Sequence, residues 1–284
     1  MTTIIDGKKV AKQIETELIE EVSKLEKLGV TPGLAVILVG DNPASKTYVR
    51  SKERACKRIG INSKKITYET TITQEELLNA INELNNDDGI HGILVQLPLP
   101  DHIDSDAIIN AINPKKDVDG FHPINLGKMF LNEENSYWSC TPYGILELLD
   151  RYEIDVEGMD AVIVGASNIV GKPMATMLLN REATTTVCHI KTKDLAYHTK
   201  NADLLVVAVG VPHLIKEDMV KEGVVVIDVG INRLEDGSLV GDVDYDAVSK
   251  KASAITPVPG GVGPMTITML MKNTIKSAYN HANK

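Results

Sequence analysis

The sequence predicts an α/β protein of two domains, the second of them Rossmann-like. Three observations predict it. Short, continuous apolar runs alternate with stretches of helical periodicity, as in layered α/β folds. The alternation breaks off between Gln96 and Asp119, where loop formers dominate, and then resumes. A glycine turn follows one apolar run and opens a helix, which is the setting of a dinucleotide-binding motif. The length of 284 residues fits about two domains of ~100–200 residues.

Val10, Ile14, Leu18, Val22 and Leu25 recur at helical spacing, and Gly29 follows as a stop. Leu34 to Val39 reads as a strand buried on both faces of a parallel sheet. A helix is expected from Ala44 to Ile59, ended by Gly60. Thr73 and Glu76 have capping-box spacing before Leu77, Leu78, Ile81 and Leu84. His91 to Val95 is another strand, and Asp104 to Ala111 a short helix. Thr141-Pro142 resembles an N-cap with proline at N1, opening a helix through Tyr152.

The domain junction is expected near residue 140. Beyond it, strands are expected at Asp160–Val164, Thr185–Cys188, Leu204–Val209 and Val224–Val229. Helices are expected at Ile169–Asn180 and in the next two intervals. Thr256 to Pro264 is a loop dense in glycine and proline. A last helix, Met265 to about His281, has no following strand in its own half and is expected to pack back on the first domain. The division is therefore 1–140 and 141–264, with 265–284 returning to the first.

Composition narrows the function classes. The formal net charge is −9 and aromatics make up 4%, which argues against a general nucleic-acid binder. Cys56, Cys140 and Cys188 are odd in number and lie far apart without ligand spacing. That fits a reduced, cytoplasmic chain without structural zinc. The start lacks a signal-peptide apolar stretch, and no apolar run approaches ~20 residues, so no membrane association is expected.

The glycine turn is Gly165-Ala166-Ser167, with Gly171 six residues after the first glycine. Gly165 would make the turn and Gly171 would admit close helix–sheet packing. The turn's N–H groups and the helix dipole would face a pyrophosphate. The spacing departs from G-x-G-x-x-G, and a plain strand–helix turn is the competing reading. No acidic residue follows the next strand, where one would hold a ribose 2′-hydroxyl. His189, Lys191 and Lys193 stand there instead, which suits a 2′-phosphate and hence NADP. A solvated basic loop is the alternative.

In the first half, Tyr48 and Lys52 share one helix face after the turn at Gly40-Asp41-Asn42-Pro43. Ligands of open α/β sheets bind at such strand-to-helix turns. A lysine beside a tyrosine is a candidate acid/base there, although the same spacing is common in snorkelling surface pairs. Gln96 follows an apolar strand, where a buried amide needs partners. Asp119 sits in a Val-Asp-Gly turn, a place where aspartate is commonly structural.

Taken together, VGDNPASKTYVRSKERAC (39–56), GILVQLPLP (92–100), KDVDGF (116–121), VGASNIVGKP (164–173), VIDVGIN (226–232) and TPVPGGVGPMT (256–266) resemble the bifunctional methylenetetrahydrofolate dehydrogenase/cyclohydrolase (FolD) family. The resemblance runs from about Asp6 to the last helix. It implies a folate-binding catalytic domain, a NADP-binding domain and an active site in the cleft between them. It also implies a cytoplasmic homodimer in one-carbon metabolism and purine biosynthesis. Lys52 matches the family's catalytic lysine, with Tyr48 and Gln96 beside it, and Asp119 its pterin-binding aspartate. Gly165, Ala166, Ser167 and Ile231 match cofactor positions. The Pro257–Gly263 loop matches the segment that lines the cleft, with Pro257, Gly260 and Gly261 implied to bind substrate.

The implied reactions are oxidation of 5,10-methylenetetrahydrofolate with NADP⁺ and hydrolysis of the methenyl product to 10-formyltetrahydrofolate. Many relatives have arginine at the place of Ala166, and Ser-Arg or Ser-Lys at Ile190-Lys191. Both departures touch 2′-phosphate recognition. Competing readings are an NADP-dependent oxidoreductase of a small hydroxy or amino acid, and a non-catalytic dinucleotide-binding protein.

Overall fold

The computed structural model describes residues 1–282. The chain opens with β1 (Thr3–Ile4) and α1 (Gly7–Lys27). There follow β2 (Gly33–Val39), α2 (Pro43–Ile59), β3 (Asn62–Tyr68), α3 (Gln74–Asn85), β4 (Gly92–Val95), α4 (Ser105–Ala111) and α5 (Pro123–Phe130). After α6 (Cys140–Arg151) come β5 (Asp160–Val164), α7 (Gly171–Leu179), β6 (Thr184–Cys188), α8 (Leu195–Thr199) and β7 (Leu204–Val207). The rest is β8 (Val225–Asp228), β9 (Asn232–Arg233), β10 (Leu239–Val240), α9 (Tyr245–Val248), β11 (Ala254–Ile255) and α10 (Val262–Ala282).

Two compact units result. The first comprises Gln13–Lys128, Asn135–Cys140 and Ile267–Lys284, and the second Met1–Lys12, Met129–Glu134 and Thr141–Thr266. All of α10 beyond its first turn thus belongs with the first unit. Ser277 Oγ donates there to the carbonyls of His91 and Lys115, at 2.6 and 2.8 Å. Residues 1–12 group with the second unit, because β1 pairs in parallel with β11.

The first unit holds a parallel sheet of order β3-β2-β4. Every residue of β2 is buried, which explains its unbroken apolar run. Its edge strand β3 is largely exposed. Asn42 caps α2 by accepting from the Ala44 and Ser45 N–H groups, and Gly60 ends that helix at φ +95°. The Thr73–Glu76 capping box forms with both reciprocal bonds.

The second unit holds a six-stranded sheet of order β1-β11-β8-β7-β5-β6, with the pairings parallel. Strand order reverses between β5 and β7. This is the topological switch point at which such sheets bind ligands, beyond the carboxyl ends of the strands. The core between strands and helices is built from Val162, Val164, Leu205, Val207, Val226 and Ile255.

Several expectations are corrected. Helix α6 starts at Cys140, and the Thr141 hydroxyl meets the Thr266 hydroxyl at 3.0 Å instead of capping. The helix expected after β6 is five residues long. The interval after β7 contains only a 3-10 turn at Glu217–Met219. No helix among the described residues is long and apolar enough to cross a membrane.

Candidate active site

In the first unit, β4 ends at Val95 beside Ile37, two residues before β2 ends at Val39, and the strand order reverses between them. Helix α2 starts just past β2, so its second turn carries Tyr48 and its third Lys52. Gln96 is the first residue after β4. The Lys52 ammonium donates to Gln96 Oε1 at 2.9 Å. Gln96 Nε2 in turn donates to the Leu97 carbonyl at 2.8 Å. This second bond fixes which end of the amide faces the lysine. Lys52 is only 8% exposed.

Burial pushes the Lys52 ammonium below its usual range, against the opposing charge of Asp119. The Asp119 carboxyl is pushed up by burial, and Lys52 partly offsets that rise. A lysine with a depressed pKa is one that can exchange a proton near neutral pH. The structure therefore brings Lys52, Gln96 and Asp119 into one electrostatic neighbourhood. Tyr48 lies one turn from Lys52 and is 38% exposed, with its phenol pushed up by burial.

Two neighbours escaped the sequence reading. Cys140 is buried, its thiol donates to the Val118 carbonyl at 3.3 Å, and burial, with Asp119 nearby, pushes it well above its usual pKa. Its spacing from Lys52 and Asp119 carried no motif. Asp117 is 2% exposed and accepts from the N–H groups of Phe121 and His122 and from Asn125 Nδ2. It builds the turn in which Asp119 sits. Gly120 has φ +75°, and a Cβ there would lie 2.5 Å from the Trp138 carbonyl carbon, so this turn tolerates only glycine. Asn273 Nδ2 holds the same segment by donating to the Val118 carbonyl at 2.9 Å.

The second unit carries the glycine turn at the end of β5. Gly165 has φ +124°, and a Cβ there would lie 2.3 Å from the Ala208 carbonyl oxygen. At Gly171 a Cβ would lie 1.9 Å from the Gly165 carbonyl oxygen. Both glycines are thus required by close backbone approach. Ser167 Oγ accepts from the Val170 and Gly171 N–H groups at 3.2 and 3.4 Å, leaving its hydroxyl proton for a ligand. This turn and the α7 amino terminus fit a pyrophosphate. Ala166 lies within the turn, and Ile231 follows β8 with 44% exposure.

Past β6 the chain makes a tight turn. His189 N–H donates to Thr192 Oγ1 and Lys191 N–H to His189 Nδ1. Lys191 and Lys193 are exposed there, and Asp194 caps α8. The Pro257–Gly261 loop also belongs to the second unit. Lys8 N–H donates to the Gly260 carbonyl and Gly261 N–H to the Pro257 carbonyl. Among the described residues no cluster of three His, Cys, Asp or Glu side chains could hold a metal ion.

A separate polar cavity of about 480 Å³ in the first unit is lined by His91, Lys115, Lys116 and Lys128 among others. His91 precedes β4, at the opposite strand end from Gln96. At ~3.3 Å per residue the two lie about 16 Å apart along the strand, so this cavity is not the Lys52 site.

Two family models match the chain. "Tetrahydrofolate dehydrogenase/cyclohydrolase, catalytic domain" matches residues 5–119, and the "NAD(P)-binding domain" of the same description matches residues 139–282. A Campylobacter jejuni protein named "Bifunctional protein FolD" is 61% identical over 281 residues, covering 99% of this chain and 100% of the relative. The crystal structure of a Campylobacter jejuni FolD superposes with a TM-score of 0.98 at 61% identity, covering 99% of both chains. A Trypanosoma brucei methylenetetrahydrofolate dehydrogenase-cyclohydrolase, complexed with NADP cofactor and inhibitor, superposes with a TM-score of 0.95. It is 40% identical, and the match covers 98% of both chains.

Proposed function

This chain belongs to the tetrahydrofolate dehydrogenase/cyclohydrolase family, and on that premise we propose how its residues divide two consecutive reactions. The enzyme oxidises 5,10-methylenetetrahydrofolate to the methenyl cation with NADP⁺, then hydrolyses the cation to 10-formyltetrahydrofolate. NADP⁺, when bound, supplies the hydride acceptor. The Gly165–Gly171 turn and α7 hold its pyrophosphate, Lys191 attracts its 2′-phosphate, and Ile231 lies along its path.

The first step needs no proton from the protein, because the lone pair of a folate ring nitrogen expels the hydride. What it needs is alignment. Asp119, ionised, accepts from the pterin amino and ring N–H groups, and the Pro257–Gly261 loop lines the substrate. In the second step water attacks the methenyl carbon. Lys52, as the free amine, takes one proton of the water and returns it to the ring nitrogen that leaves, while the adduct's remaining hydroxyl proton passes to solvent as the formyl C=O forms. Gln96 keeps Lys52 aimed, and Tyr48 packs beside it.

The observation that carries this reading is the Lys52–Gln96 bond, at a buried place whose desolvation favours the neutral amine. We assign the folate chemistry to residues 1–140 and NADP binding to 141–264. A cytoplasmic homodimer serving one-carbon metabolism and purine biosynthesis completes the proposal.

The test gives purified protein methylenetetrahydrofolate with NADP⁺ or NAD⁺ in parallel. Methenyl absorbance should appear with NADP⁺ and then decay. Absence of either phase removes the corresponding activity from the proposal.

A further inference from the structure

The second unit contains two buried carboxylates that the mechanism leaves without a role. Asp228 ends β8 and is 3% exposed, and Asp242 is fully buried. One oxygen of Asp242, Oδ2, accepts from the Val209 N–H at 2.7 Å and the Gly210 N–H at 2.9 Å. The other, Oδ1, accepts from Asn232 Nδ2 at 2.9 Å. Val209 and Gly210 follow β7, whereas Asn232 opens β9, just past the end of β8. A single side chain therefore joins the loops at the carboxyl ends of two adjacent strands.

Asp228 holds Asp242 in turn. Its Oδ1 accepts from the Asp242 N–H at 2.9 Å and the Gly230 N–H at 3.0 Å, and its Oδ2 from the Val243 N–H at 2.9 Å. The backbone makes room for both carboxylates. A Cβ on Gly230 would lie 2.3 Å from the Asp242 carboxyl carbon, and one on Gly241 would lie 1.8 Å from Asp228 Oδ2. Burying ionised carboxylates is costly unless donors surround them. Here the donors are mainly backbone N–H groups of the loops themselves. Such a network sets loop geometry more narrowly than apolar packing would.

The location says what that geometry serves. The Gly165 turn faces a pyrophosphate, and the Lys191 turn after β6 lies on the adenosine side. The other half of a dinucleotide then runs toward the ends of β7 and β8. Those ends are the two loops that Asp242 ties together. Gly165 is within close approach of Ala208, the residue just before Val209.

We propose that Asp242 is a positioning residue for the nicotinamide half of the cofactor, holding Val209–Gly210 and Gly230–Asn232 in the register that half requires. This rests on the reading that NADP binds at the Gly165 turn. Asp242 touches no reacting atom and acts through the backbone of both loops.

Two ligands separate the halves of the site. Adenosine 2′,5′-bisphosphate reports the adenosine side alone, and NADP⁺ reports both. Each is titrated by calorimetry into the full-length wild type and into Asp242→Ala, without folate present. Asp242→Ala loses three accepted bonds. It should weaken NADP⁺ at least about tenfold, because each unsatisfied buried donor carries a substantial penalty. Binding of the bisphosphate should stay within about twofold of wild type.

Asp242→Asn keeps an acceptor for the two N–H groups, and Asn232 can turn its amide to match. Its NADP⁺ affinity should lie closer to wild type than to Asp242→Ala. In turnover, the KM for NADP⁺ should rise in Asp242→Ala while the KM for methylenetetrahydrofolate does not.

Unchanged NADP⁺ affinity in Asp242→Ala overturns the proposal. Equal weakening of both ligands also overturns it, since that is general loosening of the unit. If Asp242→Ala does not fold, Asn232→Ala decides: it cuts only the tie between loops and should weaken NADP⁺ but not the bisphosphate. Failure of the wild type to bind the bisphosphate would instead sink the underlying placement of NADP.

Discussion

Replacing Lys52 by methionine should separate the two activities. The substitution keeps an unbranched chain out to Cε and removes the terminal nitrogen. Lys52 is 8% exposed, and its ammonium donates to Gln96 at 2.9 Å. A positioned general base contributes ~10²–10⁴-fold, or about 3–5 kcal/mol of barrier. Hydrolysis of the methenyl cation should fall by that factor. Hydride transfer uses no proton from the lysine, and its loss should stay below about tenfold, reflecting alignment alone.

Stability should change little. Gln96 Oε1 is left without its donor, which costs ~1–3 kcal/mol. Against this stands relief from burying an ammonium, the same desolvation that lowers the Lys52 pKa. The two offset, and the melting temperature should move by no more than about 5 °C. The assay measures NADPH formation and decay of methenyl absorbance separately on the variant, with a thermal melt. Equal loss in both reactions would show that Lys52 only positions substrate. Undiminished hydrolysis would remove it from the proton pathway altogether.

Other outcomes follow from the same geometry. Asp119→Asn should weaken folate binding and leave NADP⁺ binding intact, since charge-assisted bonds to pterin N–H groups are worth ~1.5–3 kcal/mol each; separate calorimetric titrations decide, and normal folate affinity would make Asp119 a turn residue. NADP⁺ should be preferred over NAD⁺ by about tenfold in kcat/KM. Lys191→Ala/Lys193→Ala and high salt should both erode that preference, because exposed lysines attract weakly and are screened; indifference to both would refute the role of this turn. Burial pushes the Asp228 carboxyl up to about 6 in the folded chain. The folded state then holds the extra proton, so this group's contribution is present at low pH and lost as pH rises through about 6. A carbon-13 titration of its carboxyl should show that midpoint, and one near 4 would contradict it. Light scattering should give the mass of a dimer at micromolar concentration, and a single-chain mass would refute the homodimer.

What the sequence by itself determined is whatever local chemistry controls. The six apolar residues Leu34–Val39 of β2 could be satisfied only by a strand covered on both faces. The capping box at Thr73 and the stop at Gly60 are short-range bonds, legible at their own spacing. Gly165 and Gly171 marked a strand–helix turn because no side chain fits there. The roles proposed for Lys52, Gln96 and Asp119 rest on the order of several motifs together, not on any one of them.

Tertiary structure decided the rest, because the partners come from far along the chain. Strand β3, with the polar sequence NSKKITY, is a strand only because β2 pairs with it along its whole length. Thr3 and Ile4 become a strand by pairing with Ala254 and Ile255. Asp117 and Asp119 look alike in the sequence. Burial and hydrogen bonds make the first a turn builder and leave the second facing the charge of Lys52. Asp242 carried no signal at all, since its value lies in backbone N–H groups more than thirty residues away. A pKa and a loop register are properties of such neighbourhoods, and packing creates them.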